Sequence, residues 1–271
     1  MHYKETRPSK ALAPYLKCYW VLEDPAPLRT MEKVLPDACC ELIIHYGDKF
    51  RIKAENGKSH VQPRSFVFGP LTRHIVIGPT GISGIIAARF YPGGLAPFLP
   101  VPVSQLANRY SSLTALYGKQ GSLLEKNILQ AGDFAERKQI LEEFLLKLLA
   151  ARPRFTSIIP YELNNLVVNK TEPVKIEYLS KELHIGRRHL ERKFADEVGV
   201  SPKMLVRIIR FQNIFKILNK KQPVNLTDLT YEAGYYDQSH FNRDFKAFCG
   251  VNPKDYFREN PAFTSLFTSG L

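Results

Sequence analysis

Residues 226–253 read LTDLTYEAGYYDQSHFNRDFKAFCGVNP, and residues 176–202 read IEYLSKELHIGRRHLERKFADEVGVSP. Both stretches contain an apolar residue with a leucine three positions later, then a turn, an Arg-x-Phe triplet and a final Gly-Val-x-Pro. Glycine favours the end of a helix and proline favours the first turn of the next one. The shared pattern therefore predicts two internal copies of one helical unit.

Within each copy, apolar side chains recur at helical spacing. Leu190 and Phe194 lie four positions apart in the first copy, as do Phe241 and Phe245 in the second. Such faces pack against a preceding short helix, so we assign these phenylalanines to the core. Two short helices joined by a three- or four-residue turn form a helix-turn-helix, whose second helix can enter the major groove of DNA.

The outward positions of the two second helices carry side chains that can contact bases. Arginine pairs bidentately with guanine, asparagine or glutamine with adenine, and glutamate can accept from the cytosine amino group. The outward residues are Arg187, Arg188, Glu191 and Arg192 in the first copy, and Gln238, Ser239, Asn242 and Arg243 in the second. Arginines on one amphipathic helix are more often a solvated surface, but the doubled pattern favours DNA binding.

A third helix is predicted between the two units, over residues 202–219. Its apolar positions, including Ile208, Phe211 and Phe215, form a seam wide enough to be largely buried. Such a rod can hold the two reading helices about one duplex turn apart, roughly 34 Å, so that one chain engages two successive major grooves.

Residues 157–260 resemble the DNA-binding domain of the AraC/XylS family. The stretches AGYYDQSHFNRDFK, residues 233–246, and GVNPKDY, residues 250–256, carry the resemblance. It implies a seven-helix, all-α domain with two helix-turn-helix motifs, and RNA polymerase as a partner, most often for activation. The DNA-facing positions of the family fall on Arg188, Glu191, Arg192, Gln238, Ser239, Asn242 and Arg243. Lys193, Lys203 and Lys246 fall nearer the phosphates, and we place Arg187 with them.

The first copy departs from the family pattern at three positions. His184 stands where a turn glycine is usual, Gly186 where a capping serine is usual, and Ser180 where a small alanine packs. Histidine tolerates the left-handed conformation, and glycine is an acceptable N-cap. Glu191 would repel phosphates unless it accepts from a base or orients Arg188 or Arg192.

The charge of the chain also indicates an acidic partner. It has 38 Lys and Arg against 26 Asp and Glu, a formal net charge of +12. Residues 181–221 hold 11 basic and 4 acidic residues, whereas residues 222–271 hold 4 and 6. Double-stranded promoter DNA is the partner that fits best, and the first of these segments is the electrostatic anchor.

The first part of the chain has a different pattern. Short apolar runs at residues 41–44, 65–68, 74–77 and 84–90 are separated by turn signals, and helical spacing follows over 122–150, interrupted at 132–133. We predict an α+β domain, with a small antiparallel β-structure plus helices, over 1–155. The double helix-turn-helix domain then covers 156–262, and a tail covers 263–271. Residues 88–94 and 101–103 resemble the sensor-like regions of some AraC-type regulators, so we expect a small-molecule effector or a homodimer contact here.

Several other classes of protein lack support in the sequence. No apolar stretch approaches the roughly 20 residues of a membrane span, and no signal peptide is apparent, so we expect a cytoplasmic protein. We predict no metal, no cofactor and no enzymatic activity, because metal-ligand spacings and catalytic motifs are missing. Two alternatives stay open: a DNA-repair or alkyl-transfer protein using Cys39 or Cys40, and an N-terminal domain that only dimerises.

Overall fold

A computed structural model describes residues 1–26, 31–53, 57–152, 180–181, 183–220 and 226–259. The strands are β1 His2–Thr6, β2 Leu16–Asp24, β3 Glu32–Val34, β4 Cys40–His45, β5 Phe50–Lys53, β6 Ser59–Val61, β7 Ser65–Phe68, β8 Ile75–Pro79, β9 Ser83–Phe90 and β10 Tyr110–Ser112. The helices are α1 Leu113–Tyr117, α2 Lys119–Gln130, α3 Phe134–Ala150, α4 Arg187–Lys193, α5 Pro202–Lys220, α6 Leu226–Glu232, α7 Gln238–Cys249 and α8 Pro253–Glu259.

The strands form two antiparallel sheets. The larger sheet has the order β1-β2-β9-β4-β7-β10, and the smaller has the order β3-β8-β5-β6. Strand β9 is buried on both faces. Its Ile86, Ala88 and Phe90 pack in one core with residues of α1, α2 and α3, whereas Ile85 and Ala87 pack in another with Phe50 of the smaller sheet. The larger sheet is thus the middle layer of this domain.

The predicted α+β class of the N-terminal part is confirmed. Strand β7 matches the predicted run, the other three runs shift by one or two residues, and the interruption at 132–133 separates α2 from α3. Asp133 caps α3 by accepting from the backbone N–H of Glu136 at 2.9 Å. The β-structure is larger than predicted, because three-residue strands such as β3 and β6 are too short to show an alternating pattern.

The helical C-terminal part is also confirmed over the residues described. The predicted helices near 161–168 and 176–183 lie outside the described residues, apart from 180, 181 and 183, and so does the domain boundary near 155. The predicted helix 187–197 ends earlier, because Phe194–Val198 forms a π-helical turn. Gly199, in the left-handed conformation with φ of 82°, ends this turn.

The two parts of the chain share a core. Leu35 and Ala38, from the connection between β3 and β4, belong to the buried cluster of the helical part. The side-chain amide of Gln212 on α5 donates to the carbonyl of Pro36 at 2.5 Å. The backbone N–H of His74 donates to the carbonyl of Phe248 at the end of α7 at 3.0 Å. The N-terminal domain therefore contacts both the spacer helix and the second motif.

Candidate DNA-binding surface

Helix α7 is the second helix of the second motif, and its two sides differ in burial. Asp237 caps it by accepting from the backbone N–H of His240 at 2.7 Å. Phe241, Phe245 and Phe248 are buried, as the i, i+4 spacing predicts. The four predicted base-reading residues of this motif are all exposed: Gln238, Ser239, Asn242 and Arg243. The helix thus presents one polar face to solvent.

Helix α4 is the matching helix of the first motif. Gly186 occupies its N-cap with an extended backbone, and His184 in the preceding turn adopts φ of 51°, as the departures from the family pattern require. Leu190 and Phe194 are buried. The outward side chains of this helix are all exposed: Arg187, Arg188, Glu191 and Arg192.

Outward side chains of α4 also contact each other. Glu191 Oε1 lies 3.4 Å from the Nε of Arg187. Arg192 instead lies 3.3 Å from the Nδ1 of His189. Residues i and i+4 are neighbours on a helix surface, which explains the pairing with Arg187. The side chain of Arg188 is exposed, so DNA could reach it.

The predicted phosphate contacts are surface cations. Lys203, near the start of α5, and Lys246, near the end of α7, are exposed. Lys193 is only partly exposed, and its Nζ lies 3.4 Å from Glu197. A phosphate would have to compete with this carboxylate, so Lys203 and Lys246 are the better candidates.

An ion pair that the sequence analysis missed fixes α7 against α5. Arg207 donates to Asp244 Oδ1 from Nε at 3.0 Å and from a terminal nitrogen at 2.7 Å. Asp244 exposes only 3% of its side chain, and His240 lies 3.6 Å from its other oxygen. In the sequence, Asp244 falls on the inward side of α7 with the phenylalanines, and a carboxylate at such a position indicates that a cation pairs with it. This pair sets the orientation of the helix that carries Asn242 and Arg243.

The spacer helix α5 is buried along one side, as predicted. Leu205, Ile208 and Phe211 are fully buried, and Phe215 is nearly so. Phe211 contacts Phe245 and Phe248 of α7, with ring centroids 5.7 and 4.9 Å apart. These contacts attach α7 firmly to the spacer.

The cysteines are buried, which bears on the alkyl-transfer alternative. All four cysteines are buried and unpaired with one another. Burial raises the pKa of Cys39 to about 11 and that of Cys40 well above its ordinary value. The described residues contain no group of three or more His, Cys, Asp or Glu that could hold a metal ion. No helix in the described part of the chain is long and apolar enough to cross a bilayer.

Comparison with known proteins adds two family matches. Residues 179–259 match the family described as "Helix-turn-helix domain". Residues 4–112 match the family described as "Domain of unknown function (DUF6597)". The first match covers both reading helices and the spacer, and the second covers both sheets.

The individual relatives are regulators by name. The HTH-type transcriptional regulator MtrA of Neisseria gonorrhoeae is 31% identical over 94 residues, which is 34% of this chain and 31% of that protein. The probable thc operon regulatory protein of Rhodococcus erythropolis is 22% identical over 121 residues, 44% of this chain and 36% of that protein. The chain thus spans about a third of the length of these relatives.

Among solved structures, ToxT of Vibrio cholerae is similar, with 10% identity, a TM-score of 0.47, and coverage of 88% of this chain and 98% of that chain. The two sequence matches, rather than this structural likeness, identify the domains. Residues 179–259 therefore form a helix-turn-helix domain, which follows an N-terminal domain that matches the DUF6597 family over residues 4–112.

Proposed function

We propose that this protein is a transcription regulator that binds promoter DNA sequence-specifically through α4 and α7. The observation that carries the proposal is the pair of exposed polar helix faces that precede and follow, along the chain, one spacer helix with a buried side. Bases would be read by Arg188, Glu191, Arg192, Gln238, Ser239, Asn242 and Arg243. Arg187, Lys193, Lys203 and Lys246 would contact phosphates.

The partners follow from this role. Activation would require a contact with RNA polymerase, and the N-terminal domain would supply an effector site or a homodimer contact. A protein that binds promoter DNA would act in the cytoplasm of a bacterial cell. An alkyl-transfer role for Cys39 or Cys40 is less well supported, since the thiolate is the nucleophile and burial disfavours it at both positions.

Selection of bound duplexes from a random library by the full chain tests the proposal. We expect an enriched site with two elements about 10 base pairs apart, one for each reading helix. Arg192→Ala should relax the preference in one element only, and Asn242→Ala in the other only. Arg7→Ala, an exposed arginine of the N-terminal domain, is the control and should change neither. A library that emerges unenriched would rule out sequence-specific binding.

A further inference from the structure

The N-terminal domain contains a cavity between its two sheets. Its volume is about 80 Å³, and most of its wall is apolar, with Trp20, Phe50 and Phe68 among the lining residues. Ile43 and Ile77 also line it and remain only partly buried although they belong to the sheets. The side chains of the domain therefore leave this space unfilled.

A charged cluster forms one part of the wall. Arg89 on β9 is ion-paired with Asp37, and its Nε lies 3.7 Å from Glu41 on β4. Glu41 also accepts from the indole N–H of Trp20 at 3.1 Å. Arg89 exposes only 2% of its side chain, whereas Asp37 exposes 16% and Glu41 exposes 18%. The groups that remain accessible are therefore carboxylates rather than the guanidinium.

Glu41 shares its nearest cation with a second carboxylate. The groups that face it are Arg89, Asp37, the indole of Trp20 and the more distant Lys17, and Cys18 lies nearby. Burial, with a smaller effect of Asp37, raises the pKa of Glu41 to about 7, although Arg89 acts in the opposite direction. Arg89 is thus the cation that contacts both carboxylates, and a cationic group inside the cavity would pair with Glu41 directly.

A second buried acceptor lines the same cavity. His45, which follows Glu41 and Ile43 on one side of β4, is 1% exposed. Its Nε2 lies 3.0 Å from Gln62 Oε1, and its Nδ1 has no hydrogen-bond partner among the described residues. If Nε2 carries the proton for Gln62, Nδ1 is an unfilled acceptor. Burial lowers the pKa of His45 to about 4, so the ring is neutral near neutral pH.

We propose that this cavity binds a small organic cation with an apolar body, and that Glu41 receives its cationic group. The apolar wall accommodates the body, and the accessible carboxylates favour a positive head group over an anion. The volume is smaller than the roughly 150 Å³ cavity that admits benzene, so the ligand has only a few carbon atoms. A short alkylamine is the simplest molecule of this class.

A ligand bound in the cavity would affect the DNA-binding domain through the connection between β3 and β4. Leu35 and Asp37 line the cavity, while Leu35 also packs in the helical core. Between them, Pro36 accepts from Gln212 on the spacer helix. One five-residue segment therefore contacts both the ligand site and α5. This regulatory step rests on the proposed DNA-binding function, whereas ligand binding does not.

Ligand-observed NMR with the full chain tests the site in the absence of DNA. The probes are n-propylamine, 1-propanol and butyrate, which share a propyl body and differ in head group. We expect saturable binding of the amine in preference to the other two. Glu41→Gln keeps the shape and should weaken amine binding at least about tenfold, as expected for the loss of one buried charge pair. Glu23→Gln, on the exposed side of β2, is the control and should leave it unchanged.

The pH dependence of the unsubstituted protein provides a second readout. Propylamine remains protonated, so its affinity should be about tenfold higher at pH 8 than at pH 6, because Glu41 must be ionised to pair with it. Preferred binding of butyrate, absence of saturable amine binding, or amine affinity that is independent of both pH and Glu41 would each overturn the proposal.

The regulatory step is tested separately with the selected DNA site. Propylamine should change the DNA affinity of the native chain about fivefold or more, as is typical of coupled sites. Gln212→Met removes the bond to Pro36 and should reduce this change while the amine still binds. An unchanged response in Gln212→Met would overturn the route through this segment. A chain that binds the amine but no DNA would refute the proposed function and leave the cavity site standing.

Discussion

At the scale of single residues, Arg243 and Lys246 lie one turn apart on α7 and should affect DNA binding differently. Both are exposed, but the first lies beside Asn242 on the reading face and the second near the end of the helix. Arg243→Ala should weaken binding to the selected site by about 1 to 3 kcal/mol and relax the preference at one base pair. Lys246→Ala should weaken binding to all duplexes alike, and it should reduce the slope of log affinity against log salt concentration by about one. Anisotropy titrations against selected and scrambled duplexes at several salt concentrations measure both effects, and equal losses for Arg243→Ala on every duplex would remove it from the base-reading set.

Glu41 and His45 on β4 make opposite contributions to the pH dependence of the free energy of unfolding. The pKa of Glu41 is raised from 4.5 to about 7, so its contribution is lost as pH rises through this range. The pKa of His45 is lowered from 6.5 to about 4, so its contribution is lost as pH falls through that range. In the pH range that the two shifts share, the changes in the free energy of unfolding caused by Glu41 and by His45 largely cancel.

In the Glu41→Gln variant, the free energy of unfolding should therefore depend on pH through His45 without the opposing effect of Glu41. Relative to the native chain, the free energy of unfolding of the variant should fall by about 1.4 kcal/mol more on going from about pH 6 to about pH 5. Urea denaturation at the two pH values measures this difference. Parallel pH profiles for the native chain and the variant would show that Glu41 already ionises with its ordinary pKa.

At the scale of elements, the sequence predicts those helices and turns that depend on the spacing of nearby residues. The helices of the second motif and the glycine turns follow from local spacing. The Arg207–Asp244 pair joins residues 37 positions apart, and no local pattern matches one partner to the other. The cavity wall likewise combines side chains from several strands, so Arg89 and Glu41 meet only because β9 pairs with β4. Long-range pairing is the part of the site that spacing alone does not determine.

The Arg207–Asp244 pair should contribute measurably to the packing of α7 on α5. Asp244→Asn should lower the free energy of unfolding by about 1.5 to 3 kcal/mol, because charged hydrogen bonds to a buried carboxylate are lost. Combined with Arg207→Met, a double-mutant cycle should give a coupling of about 0.5 to 3 kcal/mol. Asp196→Asn, at an exposed position, is the control and should have little effect. Additive losses in the cycle would mean that the two side chains do not act on each other.

At the scale of the whole molecule, the N-terminal domain touches both halves of the DNA-binding unit. The 3₁₀ turn Val103–Leu106 contacts the π-helical turn that follows α4. Gln212 bonds to Pro36 in the middle of the spacer, and Phe248 bonds to His74 at the end of α7. A rigid body that contacts both motifs can determine how the two reading helices are oriented. We therefore expect the two domains to unfold in one transition.

Gly199 tests this restraint, because it ends the first motif against the N-terminal domain. Its φ is +82°, and an added Cβ would lie 2.8 Å from Val103 Cγ1 and 2.9 Å from Pro70 Cγ. Gly57 has a similar φ of +79° with nothing within 4 Å of an added Cβ. Gly57→Ala should therefore show the left-handed penalty alone, about 1 to 2 kcal/mol.

Gly199→Ala should lose about 1 to 3 kcal/mol more than that, because the overlap with Val103 and Pro70 must be relieved by moving one domain against the other. Urea denaturation followed by fluorescence and by circular dichroism measures the loss, and separation of the two signals would show that the domains have become uncoupled. If both alanine variants lost the same free energy of unfolding, Val103 and Pro70 would have moved aside at no measurable cost. The N-terminal domain would then have no means of restraining the first reading helix through this contact.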